Sequence, residues 1–462
     1  MRHDDDHRAG VHHGAPLSGG AVLLGTAAFV LAWANAARGP FQWDDYAVIV
    51  GNPRVHALGA WAQAVPGGIR PALALSYALQ WTAGAGPHGF HVFNVAVHAI
   101  AVVLVWRLCR RLAGPVPAAV AALVFAVHPV QTEAVTYVSG RSASLATLFG
   151  IAGLLVWSTA SLRRFAALAL FALALGCKET AIVWPAALLL TEVAAAPAAG
   201  WRAAFRRTAP AWLAAAVGLA LVLASARYRE LLAYSLHLRG PIANLPSGVQ
   251  AIGYLLSRLM LVWRLSIDPA LAAPVGWSPA LAIDALLLVA AGAAALALLR
   301  RHPVPAVGIL WFLLYLLPTT TFVARADVAS ERHLYPAMLG VGLLAGAGVD
   351  ALRRHAPRVA AGVLAGTVLV LALSTRARNR DYESEAALWI ATARVTPTNS
   401  RAFNNLGWAW HRAGCFADAR RAYERALVLK PDNAAARGNL AGLPPGAGAA
   451  CATGWNALGT LR

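Results

Sequence analysis

The 462-residue sequence predicts an all-α fold: a polytopic membrane helix bundle of about eleven spans, followed by a short module of helical repeats. Three observations predict it. First, 59% of the residues are hydrophobic and only 13% charged, against roughly 25% charged in an ordinary soluble domain. So few polar side chains cannot cover a water-soluble globule. Second, the apolar residues gather into blocks near the ~20 residues that carry a helix across a bilayer. Third, beyond about residue 376 charged residues, Asn and Trp replace those blocks, and a 34-residue period appears.

Spans follow from the apolar blocks together with the basic residues between them. Of the formal charge of +19, much sits in short knots: Arg107, Arg110 and Arg111; Arg163 and Arg164; Arg202, Arg206 and Arg207; Arg300 and Arg301; Arg353, Arg354 and Arg358. Cytoplasmic loops carry such knots. Spans are expected at about 19–37, 90–112, 115–129, 142–161, 165–178, 179–196, 208–226, 279–300, 303–321, 333–352 and 357–375. With residues 1–18 as a disordered cytoplasmic tail, every knot then lies inside and the chain after 375 lies outside. A full crossing by 249–266 would reverse that parity, so this segment, with Arg258 and Arg264, is expected to be re-entrant or interfacial. The basic residues form no single face with interleaved aromatics, so no nucleic-acid partner is expected. Duplicated halves and paired interrupted helices, the marks of a transporter, are not seen.

The first outer loop is expected over about 38–89, with further outer loops at 128–141, 227–248 and 319–332. Past the bundle, Pro397 and Pro431, Asn399 and Asn433, Asn405 and Asn439, and Leu406 and Leu440 are each 34 residues apart. That is the tetratricopeptide spacing. Phe403, Leu406, Gly407, Trp410, Ala419, Tyr423 and Ala426 supply the large and small positions that interlock two antiparallel helices. The module is placed at 376–443, with a flexible tail over 444–462. About three repeats are needed for independent stability, so one full repeat must lean on the membrane domain or on a partner. Cys109, Cys177, Cys415 and Cys451 show no metal spacing and no readable disulfide framework. The His3, His7, His12 and His13 stretch with Asp4 to Asp6 fixes no coordination geometry, so no metal site is assigned.

Four strings carry chemistry-bearing residues. In FQWDDYAVIVGNPRV, Asp44 and Asp45 are adjacent carboxylates at a membrane face, where burial and mutual repulsion push their ionisation apart. One can then serve as a base near neutral pH; the alternative is a helix cap and first-turn acid. VHPVQTEAVTYVSGR places His128, Glu133 and Arg141 on one outer loop. Glu133 and Arg141 either pair with each other or bind substrate, and a His such as His128, at a helix end before Pro129, is more often a satisfied terminal histidine than a ligand. In LGCKETAIVWP, Lys178 and Glu179 interrupt an apolar stretch, where ionisable residues are functional or mutually paired. RADVASERHLYPAMLG supplies Arg325, Asp327, Glu331, Arg332 and His333 ahead of a span, where a guanidinium suits phosphate. If the spans bundle, acids and cations share a cleft at the outer surface, which suits a lipid phosphate whose tail stays in the bilayer.

Together these strings resemble bacterial relatives of the transmembrane and tetratricopeptide-repeat (TMTC) family within the GT-C glycosyltransferase superfamily, which also holds protein O-mannosyltransferases. The resemblance covers about Phe41 to Asn439. It rests on WDD with NP over 43–53, RP at 70–71, HPVQTEAV with GR over 128–141, KET at 178–180, ERHLY at 331–335 and the trailing repeat. It implies inverting transfer of a sugar from a polyprenyl-phosphate carrier to a hydroxyl of a protein or an envelope glycan. Asp44 or Asp45 would be the general base. Arg141, Lys178 and Arg332 are then expected on the leaving phosphate, and His128, Glu133, Glu179 and Glu331 about the substrate. No cofactor is obligatory, and a divalent cation is not readable. The implied place is the bacterial inner membrane, with the N-terminus cytoplasmic and the repeat periplasmic or extracellular. The short repeat array departs from the animal members and leaves the acceptor open. The alternative is a non-catalytic membrane scaffold whose repeat recruits an envelope partner.

Overall fold

The computed structural model describes residues 19–320, 323–444 and 455–458; the expected tail over 1–18 lies outside them. Among the described residues every regular element is helical. The chain starts with α1 (Gly19–Trp33), then a long polar segment with α2 (Leu58–Ala64) and α3 (Pro71–Thr82). Next come α4 (Pro87–Ala113), α5 (Pro115–Val127), α6 (Thr132–Val135), α7 (Arg141–Val156), α8 (Ser161–Cys177), α9 (Trp184–Ala195) and α10 (Gly200–Ala224). They are followed by α11 (Ala226–Leu238), α12 (Pro241–Met260), α13 (Pro279–Leu298), α14 (Pro303–Thr320), α15 (Leu334–His355) and α16 (Pro357–Asp381). The repeat contributes α17 (Glu385–Val395), α18 (Ser400–Arg412), α19 (Phe416–Leu429) and α20 (Ala434–Ala441). Proline opens many of these helices, at the position where its missing N–H costs nothing.

Among the described residues seven helices, the ones ending in α4, α7, α10, α13, α14, α15 and α16, are long and apolar enough to cross a membrane. An eighth follows if α5 and the short helices after it, bent by 55°, count as one broken span. The protein is thus a multi-pass membrane protein. The expected count of eleven goes beyond these lengths, because α1, α8 and α9 have only 15, 17 and 12 residues. Glycines let the central helices touch backbone to backbone, as membrane helices need when lipid supplies no hydrophobic drive. A Cβ on Gly342 or Gly346 of α15 would strike Ala121 or Pro117 of α5, and one on Gly340 would strike Gly308 of α14.

Three boundaries differ from expectation. The outer loop expected over 227–248 is helical, because α11 fills it and α12 begins at Pro241. Of the segment expected at 249–266, residues 249–260 belong to α12, which lies across one end of the bundle, and the rest leads out of it. Gly248 abuts the Thr320 backbone at the end of α14, Tyr254 donates to Glu331, and the Leu259 carbonyl accepts from His128. At residue 376 the change in composition is not a break, since α16 runs on to Asp381 and carries the last span directly into the repeat.

The repeat is built as its period requires. Asn399 and Asn433, 34 apart, each accept an N–H three residues on, capping α18 and α20 at 3.1 Å. Gly407 lies so close to the Tyr423 ring that no side chain fits between α18 and α19. Its core is continuous with the outer loops: Tyr137 and Ile267 pack in one cluster with Trp389, Phe403 and Trp410. Two sequence readings are corrected here. Residues 455–458, expected in a flexible tail, are packed, with Trp455 against Phe403 and Trp410 and Leu458 buried, because both apolar side chains cover the repeat core. Cys415, for which no disulfide was readable, is disulfide-bonded, whereas Cys109 and Cys177 are free and buried.

Candidate functional site

Polar side chains converge where the first polar segment, the α5–α7 turn, the α8–α9 break and the loop before α15 meet. Asp45 is 1% exposed. Its carboxylate accepts from its own segment at Gln42 N (3.0 Å) and from the α6–α7 turn at Ser139 N (2.8 Å). Burial pushes the Asp45 carboxyl up to about 7; the two N–H donors oppose that rise and neighbouring Asp44 adds to it. Asp44 is half-buried, and its N–H donates to the Tyr137 hydroxyl oxygen at 2.9 Å. No hydrogen bond or ion pair to its carboxylate is found among the described residues. Directly after the pair, Tyr46–Val50 forms a π turn, a feature found disproportionately at functional sites.

His128 accepts from Val130 N with Nδ1 and donates to the Leu259 carbonyl with Nε2, both at 3.2 Å. Both ring nitrogens are thereby used in holding the α5 end to α12. Glu133, also buried, accepts from Ser330 Oγ (2.6 Å) and Arg332 N (2.9 Å), and its Oε1 lies 3.5 Å from Arg332 Nε. The pairing open to Glu133 is therefore with Arg332, and Arg141 is elsewhere. Gly140 permits this turn, because a Cβ there would collide with the Glu133 carbonyl. Arg141 is fully buried, donating to Asn94 Oδ1 (2.6 Å) and the Phe90 carbonyl (3.0 Å), with Tyr77, Phe90 and Phe93 rings about its guanidinium. It lies within electrostatic reach of Asp45 but offers no face to a ligand.

Lys178 and Glu179 are not paired with each other. Glu179 takes a bidentate bond from Arg70, both N–O distances being 2.9 Å, and a third from the Tyr228 hydroxyl at 3.2 Å. Although desolvation opposes it, Arg70 holds the Glu179 carboxyl down to about 2. Arg70 sits at φ 53°, a left-handed conformation rare for a side-chain-bearing residue. The following Pro71, which disfavours the right-handed helical region at the residue before it, fits that choice. Lys178 is 5% exposed and has no protein partner among the described residues. Burial and the positive charges of Arg332, Arg325 and Arg70 lower its pKa well below the usual lysine range. Among the described residues the Arg325 guanidinium donates to the His333 ring, at 3.3 Å, and burial and Arg332 bring it down to about 10. Glu331 accepts from Tyr254 Oη (2.9 Å) and Ser266 N (2.8 Å), bracing α12 and the loop after it.

A small crevice lies beside part of this cluster, lined by Lys178, Thr180 and His333 together with Ala143, Gly150, Trp184 and Tyr315. Acids and cations share the same neighbourhood: Tyr137 feels Asp45, Asp44 and Arg332, and Tyr77 feels Arg141, Asp45, Arg70 and Arg332. Sequence reasoning did not single out Arg70 as the partner of Glu179, nor Tyr77 and Tyr137 as the residues between the charges. Only the RP dipeptide pointed toward the first. Among the described residues no group of three or more His, Cys, Asp or Glu side chains is arranged to hold a metal ion.

Fold and site define a class: a multi-pass helical membrane protein with a charged cleft at one end of its bundle and a tetratricopeptide repeat docked on that end. The tetratricopeptide-repeat family model matches residues 400–433. Protein O-mannosyl-transferase Tmtc3 of Drosophila melanogaster is 26% identical over 449 residues, 77% of this chain and 47% of that protein. Protein O-mannosyl-transferase TMTC3 of Mus musculus is 26% identical over 424 residues, 80% of this chain and 45% of that protein. Over a shorter stretch of 132 residues, Protein O-mannosyl-transferase Tmtc2 of Drosophila melanogaster is 36% identical, covering 25% of this chain and 14% of that protein. The chain is similar to these TMTC proteins, and it spans about half the length of the two TMTC3 relatives. Among solved structures, ArnT from Cupriavidus metallidurans bound to undecaprenyl phosphate matches with a TM-score of 0.42 and 17% identity, over 92% of this chain and 76% of that one. So loose a likeness carries no weight here.

Proposed function

We propose that the chain is a GT-C-type glycosyltransferase that moves a sugar from a polyprenyl-phosphate carrier to a hydroxyl of a protein or envelope glycan, with inversion. One observation carries this reading: Asp44, whose carboxylate has no partner among the described residues, acts on Tyr137 together with Arg332, and Arg332 and Arg325 act in turn on Lys178, which lines a largely apolar crevice. The names of the TMTC relatives support it. Asp44 is the general base, because its carboxylate is accessible and unengaged. Asp45, with both oxygens held by N–H donors, fixes the turn that presents Asp44. The acceptor oxygen attacks the anomeric carbon, its proton passes to Asp44, and the bond from that carbon to the phosphate oxygen breaks. Polyprenyl phosphate leaves with the bonding electrons, and the cations stabilise its added charge.

Lys178 suits that task. Surrounded by arginines it gives up its proton easily, and an incoming phosphate anion restores the charged form. Arg332 divides its charge with Glu133, so Lys178 and Arg325 are the principal phosphate donors. Arg141, lacking a ligand face, acts by shaping the segment around Asp45. Glu133, Glu179, Glu331 and His128 hold the cleft rather than touch the sugar. The route needs no resident cation, since side chains supply the positive charge. The positive-inside rule applied to the basic knots supports a cytoplasmic N-terminus with the cleft and repeat outside the cytoplasm, and the membrane we propose is a bacterial inner membrane. The disulfide at Cys415 fits an oxidising compartment. Protein partners would be met by the repeat.

The test is transfer by the purified protein in vesicles containing a polyprenyl-phosphate sugar, read as release of polyprenyl phosphate. Asp44→Asn is expected to lower the rate by about 10²–10⁴-fold while leaving thermal stability unchanged. Undiminished transfer by the variant overturns the assignment of the base. No transfer by the parent protein across sugars and acceptors favours the scaffold reading.

A further inference from the structure

The residues on either side of the acid pair are held by the repeat module, not by the membrane bundle alone. Ahead of the pair, Gly39 lies so close to the Tyr382 carbonyl that a Cβ would not fit, and Gln42 Nε2 donates to that same carbonyl at 2.6 Å. The Trp43 N–H meets the Glu385 carboxylate. The Trp43 ring stands edge-on to Trp389 of α17 at 5.2 Å, with the Arg401 guanidinium 5.9 Å away. After the pair, the Arg412 guanidinium lies 4.7 Å above the Tyr46 ring and 3.5 Å from Glu385. Arg401 in turn grips the outer loops, bonding both oxygens of buried Asp268 and one of Asp327, each at 2.6 Å.

Trp43 itself is at φ 47°, left-handed and bearing a large side chain. Such a conformation is strained and persists only where the surroundings over-determine it. Here the surroundings are Trp389, Arg401 and Tyr137. Freed from them, Trp43 relaxes to negative φ and swings the next two residues.

We infer that the repeat module is a built-in positioning element for Asp44 and Asp45, acting through Trp389 and Arg412 on Trp43 and Tyr46. Occupancy or loosening of the repeat is thereby transmitted to the acid pair without any contact with substrate. The inference rests on the sugar-transfer reading only for its catalytic consequence, and its structural half is testable without substrate.

The experiment is amide hydrogen exchange on the full chain in lipid discs, beside transfer kinetics. Trp389→Ala is expected to speed exchange over residues 44–50 about tenfold while α5 and α15 stay protected. It is also expected to lower kcat with the KM for the lipid donor unchanged, and Trp389→Phe should restore both. If Trp389→Ala does not fold, Arg412→Ala serves, because its side chain is 47% exposed; exchange over 44–50 should rise about two- to fivefold. Unchanged exchange over 44–50 overturns the inference, as does a normal kcat in a variant whose exchange has risen. A parent protein that transfers no sugar overturns the preceding section, and exchange alone then decides this one.

Discussion

The two ends of the bundle use arginine differently. At the end away from the site, Arg353 and Arg354 pair with Asp350 one helical turn away, their side chains 51% and 71% exposed. Arg111 at that end caps the Leu155 carbonyl and lies near Arg107 and Arg163. The site end, beside the local pairs Arg227 with Glu230 and Arg378 with Asp381, also joins residues far apart in the chain: Arg70 with Glu179, Arg332 with Glu133, Arg401 with Asp268. Local, solvated pairs contribute little to stability, and their charge serves orientation in the membrane. Distant, shielded pairs tie separate loops into one surface, so their loss is felt both in stability and in the shape of the cleft. The difference teaches that charge density alone does not mark a site. What marks it is charge withdrawn from water and satisfied across loops, with Lys178 and Asp44 as the members left over.

The largest effect that distinguishes the two ends is pH dependence at Asp45. Its folded-state carboxyl titrates near 7, above the ordinary aspartate value near 4. Between these values the folded protein binds the proton and the unfolded chain does not. Stability from this group is therefore full at the acid side, falls as pH rises through that window, and levels off above about 7. The total is on the order of a few kcal/mol. Thermal unfolding in detergent at pH 5 and pH 8 should show that loss in the parent, and a flatter profile in Asp45→Asn. Equal slopes in the two proteins would remove the claim that Asp45 is shielded.

Next in size is the Arg70–Glu179 pair, whose side chains are 30% and 33% exposed. Arg70→Ala leaves Glu179 with the Tyr228 hydroxyl alone, and a cost of about 1–2 kcal/mol is expected after allowing for solvent screening. The same variant should raise the KM for the lipid donor, because α3 is no longer tied to the α8–α9 break beside Lys178. The smallest effect belongs to the opposite end. Arg353→Ala should change the stability little, by about 0.5 kcal/mol or less. A cost at Arg353 equal to that at Arg70, read in the same melts, breaks the comparison.

Much of this was legible in the sequence, for physical reasons that also explain the rest. Apolar blocks and prolines announce helices because lipid leaves the backbone no other way to satisfy itself. The 34-residue spacing announces the repeat because Asn399 and Asn433 cap successive helices and Leu406 and Leu440 hold equivalent positions in them. The acid pair and Lys178 stood out as charges in apolar surroundings. Pairing did not, since nothing local to Glu133 tells that Arg332, 199 residues on, is its partner in preference to Arg141 eight residues away. The dependence of Trp43 on Trp389 was equally hidden, because a left-handed tryptophan has no sequence signature. The 12-residue α9 shows the limit of span counting, where helices shielded by neighbours need not match the bilayer.

The measurement that bears most directly on the central claim is photo-crosslinking of the protein in vesicles with a polyprenyl phosphate carrying its reactive group beside the phosphate. Acids from the first polar segment and cations from later loops are held to form one lipid-phosphate site, so labelled peptides should contain Lys178 to Trp184 and His333 to Pro336. Labelling should fall in Lys178→Met. Labels confined to the exposed face of α13, or unchanged in Lys178→Met, would contradict it.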